Sequence, residues 1–200
     1  MIHKTSQHKT KKSYGFLLYS KSMNKKDNLI WIDCEFTGIN YQEQTIIEIA
    51  VVVTDKDLNQ IAEPLQYIIH QSNEVLNDAS EWVKEHIPQV LEESSKSVIS
   101  INQAEQEILD YLDKYTEQGV SPMCGNSIGS DRHMLYYRMP RIEKWCHYRN
   151  IDVSTIKELA KRWKLEATEV YVKKETHRAL DDILESIEEL KVYRNDFFQR

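Results

Sequence analysis

The chain has 200 residues, of which 40% are hydrophobic and 29% are charged, and its formal net charge is −6. These values are typical of one globular domain with a substantial core, and no stretch is long and apolar enough to predict a membrane-spanning helix. The three cysteines form no CxxC pair, which argues against a disulfide framework or a zinc site built on such pairs. We therefore expect a reducing compartment and a cytoplasmic protein.

Positive charge is concentrated at the amino terminus. Residues 1–28 hold seven lysines and one aspartate, a net +6, which leaves −12 for the rest of a chain whose total is −6. An acidic body is unfavourable for binding long nucleic acids, because affinity for phosphate usually comes from lysine and arginine. The objection weakens if the acidic residues bind metal ions or if the substrate is a very short oligonucleotide.

The first 27 residues are lysine-rich and lack hydrophobic periodicity, which predicts disorder. Three interpretations stay open: a segment upstream of a native start at Met23, a targeting segment, or a basic arm that contacts substrate. The absence of arginine disfavours the targeting segment, and we favour the start at Met23. We expect the folded domain to span residues 28–197.

Strand patterns come first in this domain. Residues 28–35, 45–54 and 60–70 are predicted strands, and short turn-like links at 38–40 and 55–59 favour antiparallel hairpins. These three strands form a predicted meander.

Helical patterns then alternate with strands. An apolar stripe predicts a helix over residues 101–115, with Ser100 as its N-cap. Further helices are predicted near 130–139, 154–163 and 179–195, with a short segment at 121–126 and a strand near 148–153. A meander followed by alternating helices and strands predicts an α/β layered domain.

Two carboxylates end the first predicted strand. Asp33 and Glu35 follow the apolar run 29–32. Side chains alternate along a strand, so both carboxylates point to one side and Cys34 points to the other. Like charges at the end of a buried strand repel each other and are unfavourable to desolvate. A divalent cation such as Mg²⁺, which prefers carboxylate oxygens, is the expected partner.

Four further features carry candidate chemistry, although each alone has an ordinary structural explanation. The helix dipole favours an acidic residue near a helix start, an acidic run is usually a solvated face, a tyrosine is usually a core aromatic, and an aspartate before a serine often caps a helix. The features are Asp131 after the loop 125–129, His177 before Asp181 and Asp182, Tyr148, and the stretch 152–155.

The combination favours hydrolysis of a phosphodiester by two metal ions. That chemistry needs three or four carboxylates and a way to activate water, and a neutral histidine suits a general base. His177 and Asp182 are five positions apart, so on one continuous helix they would lie on different faces. We therefore expect His177 on the loop before the helix. Periodicity leaves Asp181 and Asp182 equally open as metal ligands.

Several linked blocks resemble those of the oligoribonucleases, within the DEDDh exonuclease family. Together they are very specific, and the resemblance covers nearly everything from residue 28 to about 197. The blocks are residues 28–38, 46–50, 124–132, 147–149, 152–159, 162–163 and 177–182.

The resemblance implies a ribonuclease H-like fold, with a mixed sheet flanked by helices. It implies two Mg²⁺ or Mn²⁺ ions and 3′→5′ removal of nucleoside monophosphates from very short RNAs, dinucleotides above all. His177 would accept the proton of the attacking water. The family spacing selects Asp182 over Asp181, so the metal ligands would be Asp33, Glu35, Asp131 and Asp182.

The resemblance also implies partners and substrate contacts. Members of the family are homodimers, and Tyr148 would reach the active site across the interface. Ser127, Arg149, Ser154 and Thr155 match positions around the substrate's 5′ phosphate.

Two further contacts would be made with the bases. Trp82 matches an aromatic residue that stacks on a base, and Ile39 stands where a leucine usually wedges between bases. Residues 82–91 depart from the family pattern, and His86 lies one residue nearer to Trp82 than usual. His86 is therefore only a candidate substrate contact.

Two alternatives remain. The first is a broader trimmer of 3′ ends of RNA or single-stranded DNA, which would need a basic groove that the acidic body does not indicate. The second is a binding module with a lapsed site. The four carboxylates and the histidine are all present at coherent positions, which disfavours a lapsed site.

Overall fold

The computed structural model describes residues 24–163 and 178–198, and within these ranges one mixed sheet organises the fold. The sheet has five strands in the order β3-β2-β1-β4-β5. Strand β2 is antiparallel to β1 and to β3, whereas β4 is parallel to β1 and to β5. The predicted α/β class with an initial meander is confirmed. The strands are β1 Leu29–Phe36, β2 Ile46–Thr54, β3 Leu65–Ile68, β4 Pro122–Gly125 and β5 His147–Asp152.

Helices cover both faces of the sheet, and alternate residues of β1 point to opposite faces. Ile30 and Ile32 pack against α4 (Ile101–Tyr115), α5 (Gly129–Arg138) and α6 (Pro140–Trp145). Trp31 belongs to the other core, with α7 (Val153–Trp163) and α8 (Ala179–Tyr193). The central strand is therefore buried on both sides, as its uninterrupted apolar run predicts.

Three short helices lie between β3 and α4, where the sequence predicted none. They are α1 (Asn73–Asn77), α2 (Glu81–His86) and α3 (Pro88–Lys96). Their apolar residues surround Ile47 in a small core of their own. Helices this short complete too few turns to show a clear period, so they escape periodicity analysis.

Other boundaries differ from prediction for local reasons. Strand β3 begins only at Leu65, since Pro64 has no backbone N–H to donate to a ladder. Pro140, predicted only to end the helix before it, is also the first residue of helix α6, a position that suits proline. The predicted cap is present: the Ser100 hydroxyl accepts from the Gln103 amide at 3.2 Å.

The described chain begins at Asn24. Lys25–Asp27 forms one 3₁₀ turn, and the Lys25 ammonium donates to the Asp113 carbonyl at 2.6 Å. Residues 1–23 lie outside the described part, so the predicted disordered extension stays a prediction. None of the helices in 24–163 and 178–198 is long and apolar enough to cross a bilayer.

Candidate metal centre and substrate groove

Three carboxylates meet at the end of β1. One oxygen from each of Asp33, Glu35 and Asp182 lies within 4.8 Å of the other two. Asp182 stands in the first turn of α8, which packs on β1 and β2, and its amide donates to the Arg178 carbonyl at 3.0 Å. Cys34 lies in the core on the opposite face, as alternation along the strand predicts. Of the two aspartates left open by periodicity, the structure brings Asp182 to this group.

A β-bulge lies beside these carboxylates. Glu35 pairs with Glu48 and Phe36 pairs with Ile46, so Ile47 is the extra residue of β2. Ile47 packs among the helices α1 to α3. A bulge bends a strand and redirects its side chains, and this one lies between the pairs formed by Glu35 and Phe36.

Asp131 lies beside this group but is not one of its three members. It is buried in the first turn of α5, with 5% of its surface exposed, and its Oδ1 accepts from the Cys34 amide at 3.0 Å. Burial raises the pKa of Asp131 to about 7, and the charge of Asp152 adds to that shift. The hydrogen bond from Cys34 acts in the opposite direction.

Glu35 has a raised pKa as well. Burial, followed by the charges of Asp182, Glu48 and Asp131, raises its pKa to about 8, and Arg178 opposes this rise. A set of crowded carboxylates that resist ionisation fits a hard divalent cation, because the cation would replace the protons and remove the repulsion. The donors are all oxygens, which suits Mg²⁺ or Mn²⁺ better than a thiophilic metal.

The predicted general base, His177, lies outside the described residues. Helix α8 begins at Ala179. The expectation that His177 lies on the loop before this helix therefore stays a prediction.

Two predicted base contacts lie near the same end of β1. Ile39 is 83% exposed in the loop after β1, and Trp82 is 51% exposed on α2. The Ser80 amide donates to the Thr37 carbonyl at 2.8 Å, which ties the start of α2 to that loop. Both apolar side chains are thus presented to solvent on connected segments.

His86 stacks on Trp82. Their ring centroids are 4.4 Å apart with planes 9° from parallel, and His86 Nδ1 lies 2.8 Å from the Trp82 carbonyl. Residues four apart share a helix face, which accounts for the contact. The spacing that made His86 uncertain in the sequence thus lets its ring stack on the indole.

Three of the four predicted phosphate contacts, Ser127, Ser154 and Thr155, form a second cluster where β4 and β5 end. The Ser127 amide donates to Asp152 Oδ1 at 2.9 Å and to Ser154 Oγ at 3.0 Å. Ser127 has a φ of 51°, a left-handed conformation that turns its amide toward these partners. Thr155 donates to Asp152 Oδ2 at 3.3 Å. Ser154 and Thr155 line a groove of about 400 Å³ that continues to Arg162.

Tyr148 and Arg149 lie elsewhere, in an irregularity of the edge strand β5. Pairing passes from Pro122–His147 directly to Met123–Asn150, so these two residues bulge outward. Tyr148 is 70% exposed, and the Arg149 guanidinium lies 4.8 Å from the centroid of its ring. The structure therefore does not group Arg149 with the serines and threonine of the groove.

Strand register separates Tyr148 from the carboxylates of its own chain. Met123 is the partner of both Ile30 and Asn150. Tyr148 comes before Asn150 in β5, whereas Asp33 comes three residues after Ile30 in β1. Because the strands are parallel, the two residues lie at least about 10 Å apart along the strand direction. Two strand spacings, about 5 Å each, separate them across the sheet.

Sequence reasoning missed a set of supporting groups. Glu48 is fully buried within an otherwise apolar strand, and Arg178 follows the predicted base directly. Asn126 donates to Ser186 at 2.7 Å and accepts from Ser154 at 3.1 Å, which links α8 to the phosphate cluster. The one available signal was Glu48 itself, a single charge in the run Ile46–Thr54.

Comparisons with known proteins agree with this geometry. A family described as "Exonuclease" matches residues 30–190. The oligoribonuclease of Actinobacillus pleuropneumoniae is 48% identical, with 88% of this chain and 97% of that protein covered. The oligoribonuclease of Ruthia magnifica is 49% identical over 88% of this chain and 98% of that protein.

Solved structures give the fold. Escherichia coli Exonuclease I in complex with a 5cy-dT13 oligonucleotide has a TM-score of 0.67 at 14% identity, over 86% of this chain and 41% of that chain. The nuclease domain of 3′hExo, a DEDDh family member bound to rAMP, has a TM-score of 0.59 at 14% identity, over 88% of this chain and 96% of that chain. The predicted ribonuclease H-like fold is confirmed, and the chain belongs to the exonuclease family and, within it, to the oligoribonucleases.

Proposed function

We propose that this chain is a 3′→5′ exoribonuclease that hydrolyses very short RNAs, especially dinucleotides, to nucleoside 5′-monophosphates. The observation that carries the proposal is the meeting of Asp33, Glu35 and Asp182, with Asp131 beside them, in a chain nearly half identical to oligoribonucleases. An isolated acidic cluster would be weak evidence, whereas this one occupies the positions that the resemblance assigned to metal.

The proposed chemistry uses two Mg²⁺ or Mn²⁺ ions held by Asp33, Glu35, Asp131 and Asp182. When bound, the ions supply positive charge that polarises the scissile phosphate and lowers the pKa of the attacking water. His177 accepts the proton from that water. The water oxygen bonds to phosphorus as the bond to the upstream 3′ oxygen breaks. The released nucleotide thereby keeps its 5′ phosphate, and the leaving 3′ oxygen takes up a proton from solvent to become a hydroxyl.

Recognition at both ends of a short substrate would explain the length preference. Ile39 and Trp82 offer apolar surfaces to bases, and His86 stacks on the indole of Trp82. Ser127, Ser154 and Thr155 would surround the 5′ phosphate. A pocket that encloses this phosphate limits the chain from its far end, and the acidic body offers little affinity for a longer strand.

A homodimer would complete the site. Tyr148 is exposed and lies too far along β5 to join the carboxylates of its own chain, which supports a role in the site of a second copy. In a two-fold dimer each copy would give its Tyr148 to the other.

Mixing two inactive variants tests this exchange. Tyr148→Ala and Asp182→Asn should each be nearly inactive, but mixed dimers hold one site with both residues intact. After subunit exchange, an equal mixture should recover about a quarter of wild-type activity, because half of the dimers are mixed and each has one good site. An unchanged rate, with mixed dimers verified by native mass spectrometry, would contradict a contribution across the interface.

A cytoplasmic location is part of the proposal. Cys34, Cys124 and Cys146 are all free and buried. Such thiols are compatible with a reducing compartment and need no oxidising environment for folding.

The direction of cleavage is tested with a 5′-labelled pentaribonucleotide. We expect a ladder of progressively shorter labelled products with release of unlabelled 5′-monophosphates. Release of a labelled mononucleotide in the first turnover would show the opposite polarity and overturn the proposal.

A further inference from the structure

Arg178 joins three elements of the fold through one side chain. Its Nε lies 3.3 Å and 3.2 Å from the two carboxylate oxygens of Glu48 on β2. Its Nη1 and Nη2 reach the two oxygens of Glu93 on α3 at 3.3 Å and 3.2 Å. Arg178 is also the residue from which α8 starts. The planar guanidinium suits this double contact, since its donors form a rigid fork.

We call the contacts of Arg178 with Glu48 and Glu93 the bridge, and Glu48 is its unexpected member. It is fully buried, directly opposite Glu35 across the antiparallel pair. Like charges at opposed positions are destabilising, and a buried carboxylate needs compensation. Gln66 donates to Glu48 at 2.5 Å, and Arg178 supplies the opposite charge. Replacing a buried ion pair by apolar residues is often neutral or stabilising, so the pair by itself is weak evidence of a contribution to stability.

The bridge acts on the residues of the candidate metal centre. The Arg178 carbonyl accepts the amide of Asp182, one of the three grouped carboxylates. His177 is bonded directly to Arg178 in the chain. The main chain on both sides of Arg178 therefore leads to a group with an assigned role, while its side chain is held by the sheet and by α3.

We propose that Arg178, held between Glu48 and Glu93, is a positioning residue that sets the start of α8, and with it Asp182, against the carboxylates of β1. This inference rests on the function proposed above. It adds three residues, which would act through the placement of Asp182.

Three variants weaken the contacts of the bridge to different extents. Arg178→Met removes it, Arg178→Lys keeps the charge without the two-sided fork, and Glu93→Gln releases only the half-exposed partner. For Arg178→Met we expect kcat on a dinucleotide to fall about 10- to 100-fold and Mn²⁺ affinity, measured by calorimetry, to fall by a similar factor. KM should stay within about twofold, because the proposed substrate contacts lie on other elements. Arg178→Lys and Glu93→Gln should fall between Arg178→Met and wild type.

The matched control is Lys191→Met. Lys191 also forms an ion pair on α8, with Glu188 at 2.6 Å, but it lies more than three turns from Arg178. We expect wild-type kcat and Mn²⁺ affinity for it. Melting temperatures verify that each variant is folded. If Arg178→Met does not fold, the proposal is tested with Arg178→Lys and Glu93→Gln.

Three results would overturn the inference: wild-type kcat and Mn²⁺ affinity in Glu93→Gln and Arg178→Lys, losses confined to KM, or equal losses in Lys191→Met. Failure of the proposed function is distinguishable from these. In that case the wild-type protein would not cleave the dinucleotide, whereas the Mn²⁺ titration of the variants would still report on the bridge.

Discussion

Asp182→Asn should lower the rate of dinucleotide cleavage by roughly 10²- to 10³-fold, whereas Asp181→Asn should leave it within about twofold of wild type. The two aspartates are adjacent, carry the same charge and stand in the same helical turn. Only Asp182 has an oxygen within 4.8 Å of those of Asp33 and Glu35. Asparagine keeps the shape of the side chain and removes the charge that would hold a cation.

Initial rates with a labelled dinucleotide measure the effect, and thermal unfolding supplies the control. Metal-free Asp182→Asn should melt at or above the wild-type temperature, because removing one charge relieves repulsion on Glu35. Equal losses of activity in both variants, or full activity in Asp182→Asn, would show that the metal ligands are wrongly assigned.

The metal-free protein should lose stability as the pH rises, and divalent metal should restore it. The pKa of Glu35 is raised from 4.5 to about 8 and that of Asp131 from 3.8 to about 7. A carboxyl with a raised pKa binds its proton more tightly in the folded state than in the unfolded chain. Stability is therefore greatest below the ordinary pKa values and falls as the pH rises toward the raised ones, so the decline spans about pH 4 to about pH 8.

Melting temperatures near pH 5 and near pH 8, with Mg²⁺ and with chelator, test this prediction. The metal-free melting temperature should be lower at the higher pH, and the rise caused by Mg²⁺ should be larger there, because fewer protons must be displaced. Glu35→Gln, which cannot ionise at this position, should flatten the metal-free pH dependence. A rise on adding Mg²⁺ that is equal at both pH values would contradict a site built from these carboxylates.

Local geometry made part of the site predictable from the sequence. Alternation along β1 placed Asp33 and Glu35 together and Cys34 in the core, because that relation depends only on the strand itself. The choice between Asp181 and Asp182 depends on how α8 is rotated against the sheet, which periodicity does not contain. The resemblance selected Asp182, and the structure brings that residue to the group.

Longer-range relations were not predictable. Asp131 looked like an ordinary acidic residue at a helix start, and only tertiary packing shows it buried and bonded to the amide of Cys34. Glu48 and Arg178 are 130 residues apart, and nothing in either segment indicates the other. The helices α1 to α3 were missed because each is short and packs around the bulged Ile47.

The most direct test of the central claim is a cleavage time course on RNAs of different length. End-labelled dinucleotide, trinucleotide, heptanucleotide and a strand of about twenty nucleotides would be compared, with Mg²⁺ and with chelator. The account predicts turnover that requires the metal and is much faster for the dinucleotide than for the longest strand. Equal or faster loss of the longest strand would contradict it and indicate a general trimmer of 3′ ends, and no cleavage at any length with nucleotide binding retained would indicate a binding module.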